Sequence, residues 1–146
     1  MDSFKISDDI PVICVTATSF PEGIENAHEL LHTRFPEHTK RHFFGISYPC
    51  ENGTIVYKAA AEITQDNFQN AGTETFTIKK GDYNCFYIKD YKDNLPRIRE
   101  AFEVLLKQQD VDPNGYCVEW YIGEDDVRCM VPLDENYLHF TGVNKE

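Results

Sequence analysis

The stretch CVEWYI at residues 117–122 predicts a β-strand and decides how the rest of the chain is interpreted. It is short, rich in aromatic and β-branched residues, and preceded by the turn-forming sequence PNG at residues 113–115. Side-chain alternation puts Glu119 on one face and Trp120 on the other. A carboxylate inside an apolar strand needs a cation, hydrogen bonds, a proton or a ligand. The alternative is a partly solvated glutamate on an edge strand.

The same order of elements recurs in two parts of the chain. Residues 10–63 predict a strand at 11–18, a helix at 24–35, and strands at 42–48 and 54–63. Residues 74–133 predict extended chain at 74–88, a helix at 94–109, and strands at 116–122 and 127–133. Within the extended chain, residues 83–88 correspond to the first strand of the first half. Residues 1–9 are expected to be a loose lead-in, and the tail 134–146 has no assignment.

The two predicted helices carry the same motif. The pattern I-x-x-A-x-E-x-L occurs at residues 24–31 and at residues 98–105, an offset of 74. Self-similarity of this kind indicates duplicated units that bury one another's apolar faces. We therefore predict one α+β domain, residues 1–146, built from two strand–helix–strand–strand units. Together they form one mostly antiparallel sheet, with two helices on one face and a cleft on the other.

Composition narrows the function classes. The chain has 146 residues, 41% of them hydrophobic, and a net charge of -11 from 14 basic and 25 acidic residues. Without a basic patch, direct nucleic-acid binding is not expected. No apolar run is long enough to span a membrane, and no secretory signal is visible, so a cytoplasmic location is expected. The five scattered cysteines are interpreted as reduced and mostly buried.

Several stretches resemble the gyrase-inhibitor-like domain, the effector-binding domain of bacterial AraC-type and MerR-type transcription activators. They are TIKKGDY at residues 77–83, EWY at 119–121 and VPL at 131–133. Tyr57 lies where the family often has an aromatic residue on the third strand. The resemblance covers about residues 8–133.

This resemblance implies a duplicated fold with a groove between its halves. The groove binds small amphipathic or cationic molecules, with the strand glutamate and surrounding aromatics at its bottom. Some members hydrolyse reactive small molecules with that glutamate, and others act on partner proteins such as gyrase. This chain departs from the pattern in two respects. No helix-turn-helix segment precedes residue 10, so it is not expected to be a DNA-binding activator itself. Its second helix has Phe102 and Leu105 in the region of the usual tryptophan.

A competing motif is HELLH at residues 28–32, which matches H-E-x-x-H and is followed by His38. Histidines four apart share one helix face and could bind zinc, with Glu29 as general base. However, Phe35 occupies the position of the expected turn glycine, and Pro36 ends the helix. The internal repeat also aligns the histidines with packing positions of the second helix. We therefore expect no bound metal and no cofactor.

The predicted ligand-binding residues share strand positions and aromatic or acidic side chains. They are Glu119, Tyr121, Trp120, Tyr57, Tyr87 and Phe44. Because the face with Val118 and Trp120 is strongly apolar, it is expected to lie under the helices. Glu119 and Tyr121 are then expected on the open face.

Three functions follow as hypotheses. The first is a stand-alone module that binds organic cations or amphipaths through aromatic walls and one carboxylate. The second is a hydrolase that uses Glu119 as general base or nucleophile. The third is an inhibitor whose acidic surface docks on a basic protein partner.

Overall fold

The computed structural model describes residues 1–35, 41–64 and 74–135. This part of the chain contains eight strands and two α-helices. The strands are β1 (Asp2–Ile6), β2 (Ile10–Thr16), β3 (Phe43–Pro49), β4 (Ile55–Glu62), β5 (Glu74–Ile78), β6 (Gly81–Ile88), β7 (Cys117–Ile122) and β8 (Asp126–Pro132). The helices are α1 (Ile24–Arg34) and α2 (Pro96–Leu106).

All eight strands join one antiparallel sheet in the order β1-β6-β8-β7-β3-β4-β2-β5. The order is symmetric: β1, β6, β8 and β7 on one side match β5, β2, β4 and β3 on the other. The predicted α+β fold is confirmed, and the symmetry is consistent with a duplicated fold. The centre of the sheet lies between β3 and β7, one strand from each half.

Both helices pack on the same face of the sheet. Ala27 and Leu31 bury α1 against β2 and β4, and Ala101 and Leu105 bury α2 against β6 and β8. These are the alanine and leucine positions of the repeated helix motif. Because α1 covers β2 and β4 and α2 covers β6 and β8, the central pair β3 and β7 lies in the gap between the helices.

The sheet curls, and its other face encloses a second core. Residues from most of the strands contribute to it, among them Val12, Phe44, Ile78, Val118 and Met130. Apolar side chains are therefore buried on both faces. This arrangement is typical of a sheet that is covered on two sides.

Residues 1–9 are not a loose lead-in, which corrects the prediction. Residues 2–6 form β1, which pairs with β6 from the second half of the chain. Ile6 is buried, and Phe4 packs against the same core. The matching edge strand β5 pairs with β2 from the first half. The partner of β1 lies about eighty residues away in sequence, so no local pattern predicts the pairing.

The predicted facing of β7 is also wrong. Val118 pairs with Ile46 and Met130, and Trp120 packs beside Phe44, all in the core away from the helices. Glu119 therefore lies on the helix side. The physical reason is that both sheet faces carry an apolar core. The apolarity of one strand face consequently does not say which face the helices cover.

The ends of α2 differ from the prediction. The second helix begins at Pro96 after Leu95 and ends at Leu106, so it is shorter at both ends than predicted.

All five cysteines are free, and three of them are buried. Within the described ranges, no helix combines the length and apolarity needed to cross a membrane.

Candidate functional site

Glu119 lies at the centre of the sheet, in the gap between the two helices. It is paired with Gly45 on β3 and with Cys129 on β8. The residue keeps partial contact with solvent. A Cβ atom at Gly45 would lie only 2.6 Å from Oε1 of Glu119, so the carboxylate rests directly over the glycine backbone. The missing side chain at Gly45 leaves the space that the Glu119 carboxylate and the Tyr57 hydroxyl occupy, and we call the region around them, between the helices, the recess.

Two tyrosines donate to the same carboxylate oxygen. The Tyr57 hydroxyl donates to Oε1 of Glu119 at 2.9 Å, and the Tyr121 hydroxyl makes a short bond to the same atom. Tyr57 pairs with Ser47, on one side of Gly45 along β3. Tyr121 pairs with Phe43, on the other side. The two rings therefore reach Glu119 from opposite directions along the strands.

The hydroxyls of these tyrosines remain protonated near neutral pH. Burial raises the pKa of both Tyr57 and Tyr121 well above the ordinary value, and the charge of Glu119 raises it further. Both groups are thus permanent hydrogen-bond donors at the site. Donation to a carboxylate stabilises its ionised form.

Opposing effects act on Glu119. Burial raises the pKa of its carboxyl, while the bonds from Tyr121 and Tyr57 lower it, and the net pKa lies above the ordinary value. Burial dominates because the surrounding protein atoms disfavour the charged form. No lysine or arginine in the described ranges forms an ion pair with Glu119. The carboxylate has donors but no counter-charge in this part of the chain.

His28 reaches the network from α1. Its Nε2 atom lies 2.8 Å from the Tyr57 hydroxyl oxygen, and its ring meets those of Tyr57 and Tyr121 edge-on. Burial, followed by the charge of His32, lowers the pKa of His28 to about 4, so the ring is neutral near pH 7. Since Tyr57 gives its proton to Glu119, His28 donates from Nε2. It supplies a hydrogen bond rather than a positive charge.

The H-E-x-x-H motif therefore contributes one residue to this network. The second histidine, His32, packs on Phe43 with ring centroids 4.5 Å apart. His38 lies outside the described residues. In the described ranges, no three histidine, cysteine, aspartate or glutamate side chains are grouped so that they could hold a metal ion.

Two further aromatic rings flank the tyrosines. Phe20, in the connection between β2 and α1, stacks on Tyr57 with centroids 6.1 Å apart. Tyr91 lies in the connection between β6 and α2, and its ring centroid is 5.7 Å from that of Tyr121. Phe20 is 42% exposed, so solvent reaches this residue. The recess thus has aromatic walls contributed by both halves of the chain.

The structure brings together three of the six predicted ligand residues: Glu119, Tyr57 and Tyr121. It places the other three on the opposite face of the sheet. Phe44 and Trp120 pack together there, and Tyr87 donates to Asp126 at 2.7 Å. These three side chains do not line the recess, because strand alternation points them away from it.

Four residues around Glu119 were not predicted from the sequence to belong to the site. They are Gly45, His28, Phe20 and Tyr91. A glycine inside the predicted strand HFFGISY was a usable signal, because such a residue often marks a close approach of another group. His28 was noticed, but as part of a metal motif. Phe20 and Tyr91 lie in connections, and no pattern distinguished them.

A separate pocket opens on the face away from the helices. It has a volume of about 380 Å³ and is lined mainly by Tyr48, Phe76, Tyr116 and two prolines. Phe76 stacks on Tyr48 and meets Tyr116 edge-on. The predicted cleft opposite the helices thus has a counterpart, but Glu119 is not part of it.

Comparison with known proteins shows a shared fold. No protein-family model matches this sequence, and no curated protein matches it. The structure of SAV2435 bound to tetraphenylphosphonium is similar, with a TM-score of 0.64, 11% identity, and coverage of 94% of this chain and 96% of that one. An integron cassette protein, VCH_CASS2, from the mobile metagenome of Vibrio cholerae has a TM-score of 0.69 and 12% identity, with coverage of 91% and 95%. At such low identity these two likenesses establish the architecture of the chain, not its activity.

Proposed function

We propose that this protein binds organic cations in the recess at Glu119. The observation that carries the proposal is the carboxylate of the half-buried residue Glu119, which has two tyrosine donors, flanking aromatic rings, and no cationic partner in the described ranges. A bound cation would supply the missing counter-charge. The aromatic faces would add cation–π attraction and bury the apolar substituents of the ligand.

The donor pattern favours a cation over an anion or a neutral ligand. Tyr57 and Tyr121 already donate to Oε1 of Glu119 and partly offset the effect of burial, although the net pKa of Glu119 stays above the ordinary value. An anion in the same recess would face a like charge at short range. A neutral apolar molecule would leave the carboxylate desolvated without compensation. Neutral His28 does not compete for the role of cation.

A similarly folded protein supports the ligand class. SAV2435 has been seen with tetraphenylphosphonium, a permanent cation with four aromatic rings. The resemblance of this sequence to effector-binding domains leads in the same direction. We extend the proposal to an effector-binding module of the kind found in transcription regulators.

Calorimetric titration with tetraphenylphosphonium tests the proposal. Glu119→Gln should weaken binding by about 1–3 kcal/mol, the usual loss for a charged partner in a buried site. The matched control is Glu124→Gln, which removes one negative charge from an exposed turn just after β7. That variant should bind like the wild type. Equal affinities for the wild type and Glu119→Gln would disprove the proposal.

The pH dependence provides a second test. The ligand keeps its charge at every pH, so only the protein titrates. Because the pKa of Glu119 is raised, affinity should increase as the pH rises through that value and then level off. Triphenylphosphine oxide, a neutral molecule of related shape, should bind weakly at all pH values. Cation affinity that does not change from pH 4 to pH 8 would contradict the role of the carboxylate.

Hydrolysis is the second candidate function, favoured by the raised pKa of Glu119 beside two hydroxyl groups. Perturbed carboxyl groups of this kind are suited to general acid–base work. The test is incubation with a reactive ester or strained-ring electrophile, followed by product analysis. Turnover that is lost in Glu119→Gln but kept in Glu124→Gln would favour catalysis over simple binding.

A further inference from the structure

We infer that the ligand is a two-armed cation, with apolar or aromatic substituents that extend in opposite directions from the charged centre. This inference rests on the proposed function and specifies its ligand class. The geometry points to it because the aromatic rings form two pairs that approach Glu119 from opposite ends and meet at the Tyr57 and Tyr121 hydroxyls, whose oxygens lie 3.3 Å apart. Phe20 with Tyr57 forms the first pair, and Tyr91 with Tyr121 forms the second.

Strand register places the pairs at opposite ends. Tyr57 lies beside Ser47, two residues to one side of Gly45, and Tyr121 lies beside Phe43, two residues to the other side. Two residues along a strand correspond to roughly 6–7 Å. Glu119 itself pairs with Gly45, so along the strand direction its backbone position lies midway between those of Tyr57 and Tyr121.

The outer rings follow the same division. Phe20 comes soon after β2, where the amide of Ala17 donates to the Tyr57 carbonyl. Tyr91 comes soon after β6, where its amide donates to the carbonyl of Asp125, next to β8. The two rings thus occupy corresponding connections, each between a strand and the helix that follows it. A symmetric framework surrounds a single, central carboxylate.

A symmetric pair of acids could not occupy this centre. The position that corresponds to Glu119 in the first half is Gly45, at the same offset of 74 that relates the helices. Two carboxylates at directly paired positions would repel each other. One glutamate over one glycine provides a single negative charge with an apolar surface on either side. A cation with one arm would leave one of these surfaces uncovered.

The test compares two permanent cations by calorimetry. Dibenzyldimethylammonium carries two aromatic arms, and benzyltrimethylammonium carries one. For the wild type, we expect the second arm to raise affinity about tenfold, the gain of one buried aromatic contact. Phe20→Ala and Tyr91→Ala should each remove most of that gain. Each variant should change the affinity of the one-armed cation by about twofold or less, because the other end of the recess remains.

The outcomes separate this inference from the proposed function. If both cations bind through Glu119 with equal affinity, the two-armed ligand class is wrong while cation binding stands. A second-arm gain that survives in both Phe20→Ala and Tyr91→Ala also overturns the inference. If neither cation binds, or if both bind Glu119→Gln as tightly as the wild type, the proposed function itself fails. Circular dichroism is recorded for each variant, and Phe20→Ala should show an intact fold since Phe20 is 42% exposed.

Discussion

Gly45→Ala is the substitution that most directly tests the geometry of the site. Gly45 is buried on the central strand β3, under the carboxylate of Glu119. A Cβ atom built there lies 2.1 Å from the Tyr57 hydroxyl oxygen and 2.6 Å from Oε1 of Glu119. Both distances are far shorter than an ordinary contact. The added methyl group therefore cannot be accommodated unless the network rearranges.

The size of the effect follows from these distances. To reach a contact of 3.4 Å, the Tyr57 oxygen would have to move by about 1.3 Å. Tyr57 is only 2% exposed, so its ring has little free space. Overpacking of this kind costs about 1–3 kcal/mol. The reduced freedom of the unfolded chain returns about 0.4–1 kcal/mol for a glycine-to-alanine change. We expect a net loss in unfolding free energy of about 1–2 kcal/mol.

Urea denaturation of the wild type and Gly45→Ala measures this loss directly. The double variant Gly45→Ala/Tyr57→Phe provides the control, because Tyr57→Phe removes the closest oxygen. The cost of Gly45→Ala should be smaller in the Tyr57→Phe background, which a double-mutant cycle detects as a coupling energy. Cation affinity of Gly45→Ala should also fall, by about fivefold for each 1 kcal/mol by which the anchor is weakened.

The sign of the change in unfolding free energy shows whether a methyl group at Gly45 meets a steric conflict. If alanine lacked any steric conflict at this position, it would stabilise the protein through the unfolded state. Gly45→Ala that is as stable as the wild type, or more stable, would therefore refute the close approach of Tyr57 and Glu119 to the β3 backbone. An equal cost in both backgrounds would likewise exclude Tyr57 as the group in conflict.

Three other predictions concern stability. Ile6→Ala should lower the unfolding free energy by about 2–4 kcal/mol, because Ile6 is a buried residue of β1. Ser3→Ala, at an exposed position of the same strand, should change the unfolding free energy little. Equal effects of the two substitutions in thermal melts would contradict the placement of β1. Glu74→Gln should be clearly destabilising because it removes the partner of the buried Lys58. The cost should stay below the roughly 3–5 kcal/mol of a fully buried pair, since the Glu74 side chain is 43% exposed. Glu103→Gln, from an exposed pair, should cost less than about 1 kcal/mol in the same urea titrations, and a cost for Glu74→Gln no larger than this would refute the argument. Finally, the pKa of Glu119 is raised in the folded state, so the folded protein holds this proton more tightly than the unfolded chain does. The unfolding free energy of the wild type should therefore decline as the pH rises from the ordinary carboxyl pKa to the raised pKa of Glu119. Glu119→Gln should lack this component in urea titrations across that pH range, and parallel stability curves for the two proteins would contradict the assignment.

The sequence was sufficient for the types and order of the elements from β2 to β8, but not for β1. Local signals carried this information: the alternating strand CVEWYI, the helix motif repeated at an offset of 74, and the turns between strands. The repeat also indicated which helix positions are buried, and Ala27 and Ala101 both are. Glu119 stood out because an isolated carboxylate in an apolar strand requires a reason.

The tertiary structure alone decided the facing of β7 and which of the predicted residues, Glu119, Tyr57 and Tyr121, come together with His28. Period-two alternation divides a strand into two faces but does not label them, and here both faces meet apolar cores. The pairing of β1 was likewise decided by the tertiary structure, because its partner strand β6 is remote in the chain. The network of Glu119 joins Tyr57, Tyr121 and His28 from three different elements. Local sequence patterns carry no information about such distant pairings, because they are fixed by sheet register and helix packing rather than by local propensity.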